Sequence, residues 1–367
     1  MVKQRCLKKS ENASKEASMI VAIGDIHGCF DPLKALIRTI EGYRSEVEGI
    51  EYIFIGDYID RGPSTKEVLD FLIDFNAKKT FLMGNHEHML LAYYKGSKHY
   101  QSVGEAWLQK NNGGLLTLQD LDPKASIGEK RGFSVYSEIV TEPRPFVLDH
   151  KYKVFFESLK FALIRELEIS GKRYKLLFSH SVPNHRIPIR DLMDCESYEA
   201  FDELNAQYDI PPEKMNLWNR DFLIEPFEEA TLIHGHTPTI VVDEYIKKER
   251  MIYTQNKKMP RMQKPATKYV DYFTDKKGDM QAGVCFTINK KSSKIIQIDI
   301  DSGAVYGSRL SAITFPQSDR ELEIMDQMGI LMNPIYVSCS DGYYNRWTSI
   351  QKTYLNLSML SYFNRKW

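Results

Sequence analysis

The apolar run Tyr52-Ile53-Phe54-Ile55 stops at Gly56-Asp57-Tyr58-Ile59-Asp60-Arg61-Gly62, which crowds two carboxylates and a guanidinium between glycines, and helical spacing resumes from Thr65 to Asn76. A short run of β-branched and aromatic residues reads as a buried strand, and open α/β sheets place their ligands beyond the carboxyl ends of such strands. The same grammar stands on either side. Met19 to Ile23 leads into Gly24-Asp25-Ile26-His27-Gly28 and then Leu33, Leu36, Ile37 and Ile40 at helical spacing; Thr80 to Met83 leads into Gly84-Asn85-His86-Glu87 and then Met89, Leu90 and Tyr93. Three successive strand-loop-helix units predict parallel neighbouring strands with right-handed crossovers, all three polar loops leaving one edge of the sheet.

Beyond Gly96 the pattern weakens. Trp107 with Asn112-Gly113-Gly114 marks a turn, and Phe146 to Leu159 reads as a helix-and-loop elaboration. Tyr174 to Phe178 is a strand ending in Ser179-His180-Ser181, and Thr231 to Ile233 is another ending in His234-Gly235-His236-Thr237-Pro238. Between them, after a polar insertion at 190–213, comes Leu217-Trp218-Asn219-Arg220-Asp221. Further strands are expected at 284–288, 295–300, 304–306 and 310–315, giving an α/β chain with later antiparallel strands.

Of 367 residues, 43% are hydrophobic and 27% charged, with a formal net charge of zero. That neutrality gives no general reason to expect a nucleic-acid or membrane-surface partner. No apolar run approaches the roughly 18 to 20 residues of a spanning helix. Five scattered cysteines without CxxC spacing argue against a disulfide framework or zinc ribbon and fit a reducing, cytoplasmic setting. No cysteine begins a C-x5-R phosphate loop, and GxxxxGK is absent.

Five strand ends thus deliver Asp25 and His27, Asp57, Asn85 and His86, His180, and His236, each after an apolar run and beside Gly or Ser. Singly, Asp25 reads equally as a helix cap and His86 as a satisfied half-buried histidine. Together, carboxylate, imidazole and amide oxygen suit divalent Mn, Fe or Zn, and a two-metal site needs a bridging ligand, for which a carboxylate is the natural choice.

GDIHG, GDYIDRG, GNHE, a later strand-end His and HGHT, in this order, resemble the metal-dependent phosphoprotein phosphatase family within the calcineurin-like metallophosphoesterases, over residues 19 to 315. Met83 to Glu87, Trp107 with the Asn-Gly-Gly turn, Leu217 to Asp221 and the Ile298 to Gly307 region are most similar to its bacterial and phage-like serine/threonine branch. The resemblance implies a four-layer α/β/β/α sandwich of two mixed sheets. It implies that Asp25 and His27 bind a first metal ion, that Asp57 bridges two, and that Asn85, His180 and His236 hold the second. His86 matches the general acid, Asp60 its partner carboxylate, and Arg61 and Arg220 the arginines that hold substrate phosphate. The implied reaction is hydrolysis of phosphoserine, phosphothreonine or phosphotyrosine monoesters by a hydroxide bridging two divalent ions, with manganese favoured. Gly56 and Gly62 supply the turn and close approach that this crowding needs.

His234 reads as a supporting residue, Glu87 and His88 as helix-start and support groups, and Cys29 as packing. Around His180, Ser-His-Ser-Val stands where relatives more often have His-Ala-Gly, which leaves the shape of that loop open. The sister group that splits diadenosine tetraphosphate symmetrically shares most motifs but often lacks the carboxylate before Arg-Gly, so Asp60 leans toward monoesters. A reading from another class is an inactive scaffold that binds an acidic partner through the basic 247–268 segment. The expected organisation is a polar leader at 1–18, a catalytic domain at 19–316 with insertions near 117–175 and 239–283, and a C-terminal extension at 317–367.

Overall fold

Every residue of β1 (Met19–Ile23) is buried, as its unbroken apolar sequence requires of a strand covered on both faces. In the computed structural model, which describes residues 19–109, 111–123, 146–221, 223, 225–240, 242, 266–274, 280–289, 291–328 and 334–339, β1 lies parallel to β2 (Ile50–Phe54), and β2 parallel to β3 (Lys78–Phe81). The crossovers are α1 (Phe30–Glu41) and α2 (Thr65–Asp74), and α3 (Asn85–Lys95) follows β3. These are the parallel units expected from the sequence.

Two mixed sheets result. In the order in which strands pair, the first runs β11, β10, β1, β2, β3, with β10 (Arg309–Pro316) antiparallel to β1 and β11 (Ile335–Ser338) antiparallel to β10. The second runs β4, β5, β6, β9, β8, β7, comprising Ala162–Ile169, Lys172–Ser179, Thr231–His234, Ile295–Asp299, Met280–Asn289 and Ala266–Thr274 respectively.

Strand alternation separates the faces. Ile20, Ala22, Ile53 and Ile55 project between the sheets onto Leu176, Phe178, Ile233, Phe286 and Ile298. Met19, Val21, Tyr52 and Phe54 project the other way, into the core built with Leu33, Leu36, Leu69 and Leu72 of α1 and α2. Helices α7 (Ile189–Met193) and α8 (Tyr198–Gln207) add Ile189, Leu192 and Phe201 to the core that also takes Leu177 and Leu232 from the second sheet. The architecture is the expected α/β/β/α sandwich. No described helix is long and apolar enough to cross a membrane.

Three expectations need correction. The stretch 117–175 supplies part of α5 (Gly114–Leu121), α6 (His150–Glu157), β4 and the start of β5, and the described part of 239–283 contains β7 and most of the first half of β8, so both feed the second sheet. The sheet-edge strand β4 carries Arg165, Glu166 and Glu168, and those charges hid it from hydropathy. Residues 304–306 form a 3₁₀ turn instead of a strand, bracketed by Gly303 and Gly307 at φ 75° and 83°. The region after 316 contributes α9 (Asp319–Gln327) and the edge strand β11. The 1–18 leader and nearly all of the basic 247–268 segment lie outside the described residues.

Candidate metal centre and active site

The loop after β1 is fastened to the loop after β2 by backbone bonds: the N–H groups of Ile26 and His27 donate to Asp57 O at 3.0 and 2.8 Å, and Gly28 N–H donates to Tyr58 O at 2.9 Å. Glu87, in the first turn of α3 and fully buried, accepts the N–H groups of Gly84, Asp57, Tyr58 and Ile59 at 2.8 to 3.3 Å. It therefore pins the third loop under the second. The support role read for Glu87 was correct in kind, but its reach of some thirty residues back along the chain has no local sequence signal.

These loops reverse sharply. His27, Asp57, Asp60, Arg61 and His236 all have positive φ, from 46° to 72°, a region costly for side chains other than glycine, Asn and Asp. At Gly56, with φ 106°, a Cβ would stand 2.7 Å from Gly84 N and 2.9 Å from His180 Nδ1; at Gly62 it would overlap the His27 carbonyl. The crowding that the opening heptapeptide suggested is real.

Three imidazoles are oriented alike. His27 Nδ1 lies 2.8 Å from Ile59 O, His180 Nδ1 2.9 Å from Ile55 O, and His236 Nε2 3.1 Å from Trp218 O. A carbonyl only accepts, so each of those nitrogens carries the proton and the other presents a lone pair. The lone-pair nitrogens converge on oxygen: His27 Nε2 is 3.3 Å from Asp57 Oδ2, His180 Nε2 is 3.4 Å from Asp57 Oδ1 and 3.1 Å from Asn85 Oδ1, and His236 Nδ1 is 2.9 Å from Asn85 Oδ1. Electron pair facing electron pair inside a protein calls for a cation between them, and histidines held by their outer N–H are the usual form of metal-binding imidazole. Two groups, His27 with Asp57 and His86, and Asp57 with His180 and His236, keep their ligand atoms within 4.8 Å of one another, all buried. The donor set fits two divalent ions that share Asp57.

The electrostatics agree. Burial raises the Asp57 carboxyl, and positive charge on His180, His86 and His27 draws it well below the usual carboxylate range; with those imidazoles neutral, cations held by them would supply that charge. Burial pushes His180 and His236 down, toward the neutral ligand form. Asp25 is held by the His236 N–H, at 3.0 Å to Oδ2, and burial followed by repulsion from Asp301, Asp57 and Asp299 pushes it well up. Asp299 and Asp301 were not among the expected site residues. The signal for Asp301 was present, since it follows the Ile295 to Ile300 run just as Asp25 and Asp57 follow theirs, whereas Asp299 lies within that run.

Beside this centre, His86 Nδ1 lies 2.7 Å from Asp60 Oδ2, while its Nε2 faces inward, 4.0 Å from Asp57 Oδ2. Burial pushes the Asp60 carboxyl up, against bonds from Thr117 and Trp107, and pushes the His86 imidazole down. Arg61 Nη1 approaches His27 Nε2 at 2.6 Å, and its guanidinium carbon is 6.0 Å from the centre of the Tyr306 ring. Arg220 donates to His236 O at 2.9 Å. Burial of its head and the neighbouring Arg61 charge push this guanidinium down, although much of the side chain is open to solvent. His234, by contrast, takes Gln297 Nε2 at 2.7 Å and sits 2.8 Å from Gly235 O, a supporting position. The four described cysteines, Cys29 among them, are buried free thiols.

All ten expected site residues therefore meet where strand ends of the two sheets come together. Among proteins of known kind, 38% identity over 91 residues links this chain to the serine/threonine-protein phosphatase PP1-1 of Saccharomyces cerevisiae, over 24% of this chain and 28% of that protein. A longer stretch of 235 residues is 26% identical to the symmetrical bis(5'-nucleosyl)-tetraphosphatase of Neisseria meningitidis, over 59% of this chain and 80% of that one. A cold-active protein-tyrosine phosphatase structure from a Shewanella species aligns at 14% identity and a TM-score of 0.36, covering 81% of this chain and 76% of that one. The model of the calcineurin-like phosphoesterase family matches residues 18–240, the span that carries the loops of Asp25, Asp57, His86, His180 and His236, and this chain belongs to that family.

Proposed function

We propose that this protein is a phosphomonoester hydrolase acting on phosphoserine and phosphothreonine in proteins, with phosphotyrosine also accepted. The observation that carries the reading is the His86–Asp60 pair at 2.7 Å, with His86 Nε2 turned toward Asp57. Expulsion of an alkoxide needs a proton, whereas a nucleoside diphosphate departs as a stable anion, so a built proton donor favours the monoester.

Asp25, His27 and Asp57 would hold one divalent ion, and Asp57, Asn85, His180 and His236 the other; mixed nitrogen and oxygen donors suit manganese, iron or zinc, and manganese is our choice. When bound, such a pair of ions lowers the pKa of water and offsets the charge of an in-line phosphoryl displacement. Arg61 and Arg220 each bind and orient phosphate oxygens through the planar guanidinium fork. Water oxygen forms the new P–O bond as the ester P–O bond breaks, and the leaving oxygen takes its proton from His86 Nε2. Asp60 holds the opposite edge of that imidazole; one of the water's protons stays on the phosphate product, the other passes to solvent, and His86 regains its proton from solvent before the next turnover.

A second reading, symmetrical dinucleoside tetraphosphate hydrolysis, is favoured by the longer match to the Neisseria protein. Manganese-loaded protein offered phosphopeptides and diadenosine tetraphosphate side by side separates the two. Phosphate release from the peptides is expected; cleavage of the dinucleotide alone would reverse the assignment.

A further inference from the structure

Trp107 closes α4 (Gln101–Trp107) and is fully buried, and its indole N–H donates to both carboxylate oxygens of Asp60, at 2.9 Å to Oδ2 and 3.1 Å to Oδ1. Oδ2 is the oxygen that meets His86. The indole cannot swing away. Tyr93 and Phe146 pack its ring at centroid distances of 5.2 and 6.0 Å, and a Cβ on Gly114 would stand 2.7 Å from its Cε2 and Nε1.

The neighbouring turn and the helix after it hold Asp60 and the adjoining Arg61 from behind. Asn112 Nδ2 donates to Ala106 O at 2.7 Å, which closes the turn on α4. Gly113, at φ 81°, lies so near Arg61 that a Cβ would stand 2.8 Å from the arginine Cα. Thr117 Oγ1 in α5 accepts the Asp60 N–H at 2.9 Å. One corner, α4 to α5, therefore holds the carboxylate of Asp60, its backbone, and the backbone of Arg61. A buried indole N–H needs an acceptor, yet any carbonyl would satisfy it; here it is aimed at the one carboxylate that meets the proton donor.

We propose that Trp107 is a positioning residue for the His86–Asp60 pair, fixing the plane of the Asp60 carboxylate so that His86 Nε2 stays aimed at the leaving oxygen. The kinetic consequence rests on the phosphomonoesterase reading. As the ester P–O bond breaks, the proton on Nε2 passes to the leaving oxygen while Nδ1 stays bonded to Asp60. Without the indole N–H the carboxylate turns about its Cβ–Cγ bond and that aim is lost.

Trp107→Phe keeps an aromatic ring and removes the donor. In manganese-loaded protein, turnover of phenyl phosphate, whose leaving group needs a proton, is expected to fall about 10-fold, while turnover of 2,4-dinitrophenyl phosphate changes less than about 2-fold. An equal fall on both esters, or none on either, overturns the proposal. A second readout uses metal-free protein: the ring N–H proton of His86, identified by its loss in His86→Gln, is expected to shift in the proton NMR spectrum of Trp107→Phe, and an unmoved signal overturns the proposal. Wild-type protein inactive on both esters would sink the proposed function, and the NMR signal would still decide the positioning role. If Trp107→Phe does not fold, Thr117→Val removes the acceptor from the Asp60 N–H at nearly constant shape. It is then expected to show the same preference between esters and the same NMR shift at smaller size, and a variant that shows neither overturns the proposal.

Discussion

Glu51 lies in β2 and Asp57 six residues on, just past its end; both are buried, and only Glu51 is held below the usual carboxylate range by permanently charged partners. Against the cost of burial, Glu51 is bonded by Arg165 Nε of β4 at 3.1 Å, which joins the two sheets, and Lys78 Nζ of β3 lies 3.2 Å away. Permanent cations of the chain complete it. Asp57 makes its ion-pair distances among the described residues with the imidazoles of His27, His86 and His180, two of which turn lone pairs toward it. A carboxylate answered by lysine and arginine is finished when the chain folds, whereas one answered by neutral imidazole still lacks positive charge. The comparison separates a structural carboxylate from one that waits for a ligand.

The largest break in that comparison is Asp57→Asn. An amide bridges cations poorly, so metal affinity is expected to fall at least about 100-fold and turnover with it. Manganese at a hundred times the wild-type dissociation constant stabilises wild type by about 2.7 kcal/mol, seen as a rise in melting temperature, and the same concentration should stabilise the variant by no more than about 0.4 kcal/mol. Metal analysis of the purified variant checks this, and two ions still bound would remove Asp57 from the bridge.

Asp60→Asn sharpens the comparison within the site. Turnover of unactivated monoesters is expected to drop about 100-fold while two metal ions remain, because the residue meets His86 and Trp107 in place of the lone-pair cluster. Unchanged turnover would contradict that role. The smallest effect belongs to Glu51→Gln, expected to cost about 1 to 3 kcal/mol of stability with metal content and turnover unchanged. The sign with pH follows from the lowered folded value of Glu51. Its contribution is fully present above the unfolded glutamate range and is lost as pH falls through the folded value. Denaturant melts at falling pH should therefore narrow the gap between wild type and Glu51→Gln, and a constant gap would put the stabilisation elsewhere.

The first sheet was legible because β1 and β2 are apolar runs and each parallel strand of the three units ends in glycine-flanked ligand residues, a local pattern that resemblance could extend to roles. The second sheet was only partly so. Its edge strands β4 and β7 are charged or irregular, and in the first sheet the edge strand β11 is four residues long, so the pairing of these three comes from tertiary contact, which no local window contains. Trp107 and Glu87 were visible as residues and not as partners, because their bonds to Asp60 and to the loop of Asp57 span 47 and 28 to 30 positions. Asp301 shared the strand-end grammar, and only its neighbours in space reveal that it belongs to the charge cluster around Asp25.

The left-handed backbone at His27, Asp57, Asp60, Arg61 and His236 has a bearing on how this protein can be engineered. At His27, Arg61 and His236 this conformation costs on the order of 1 kcal/mol each, and the packed carboxylates around Asp25 add their repulsion in metal-free protein. Glycine at His27 or His236 relieves the first cost, and asparagine at Asp25 relieves the second. Selection for heat resistance alone, run without metal, will therefore enrich inactive variants at these very positions, and directed evolution of this scaffold has to select for turnover and stability together.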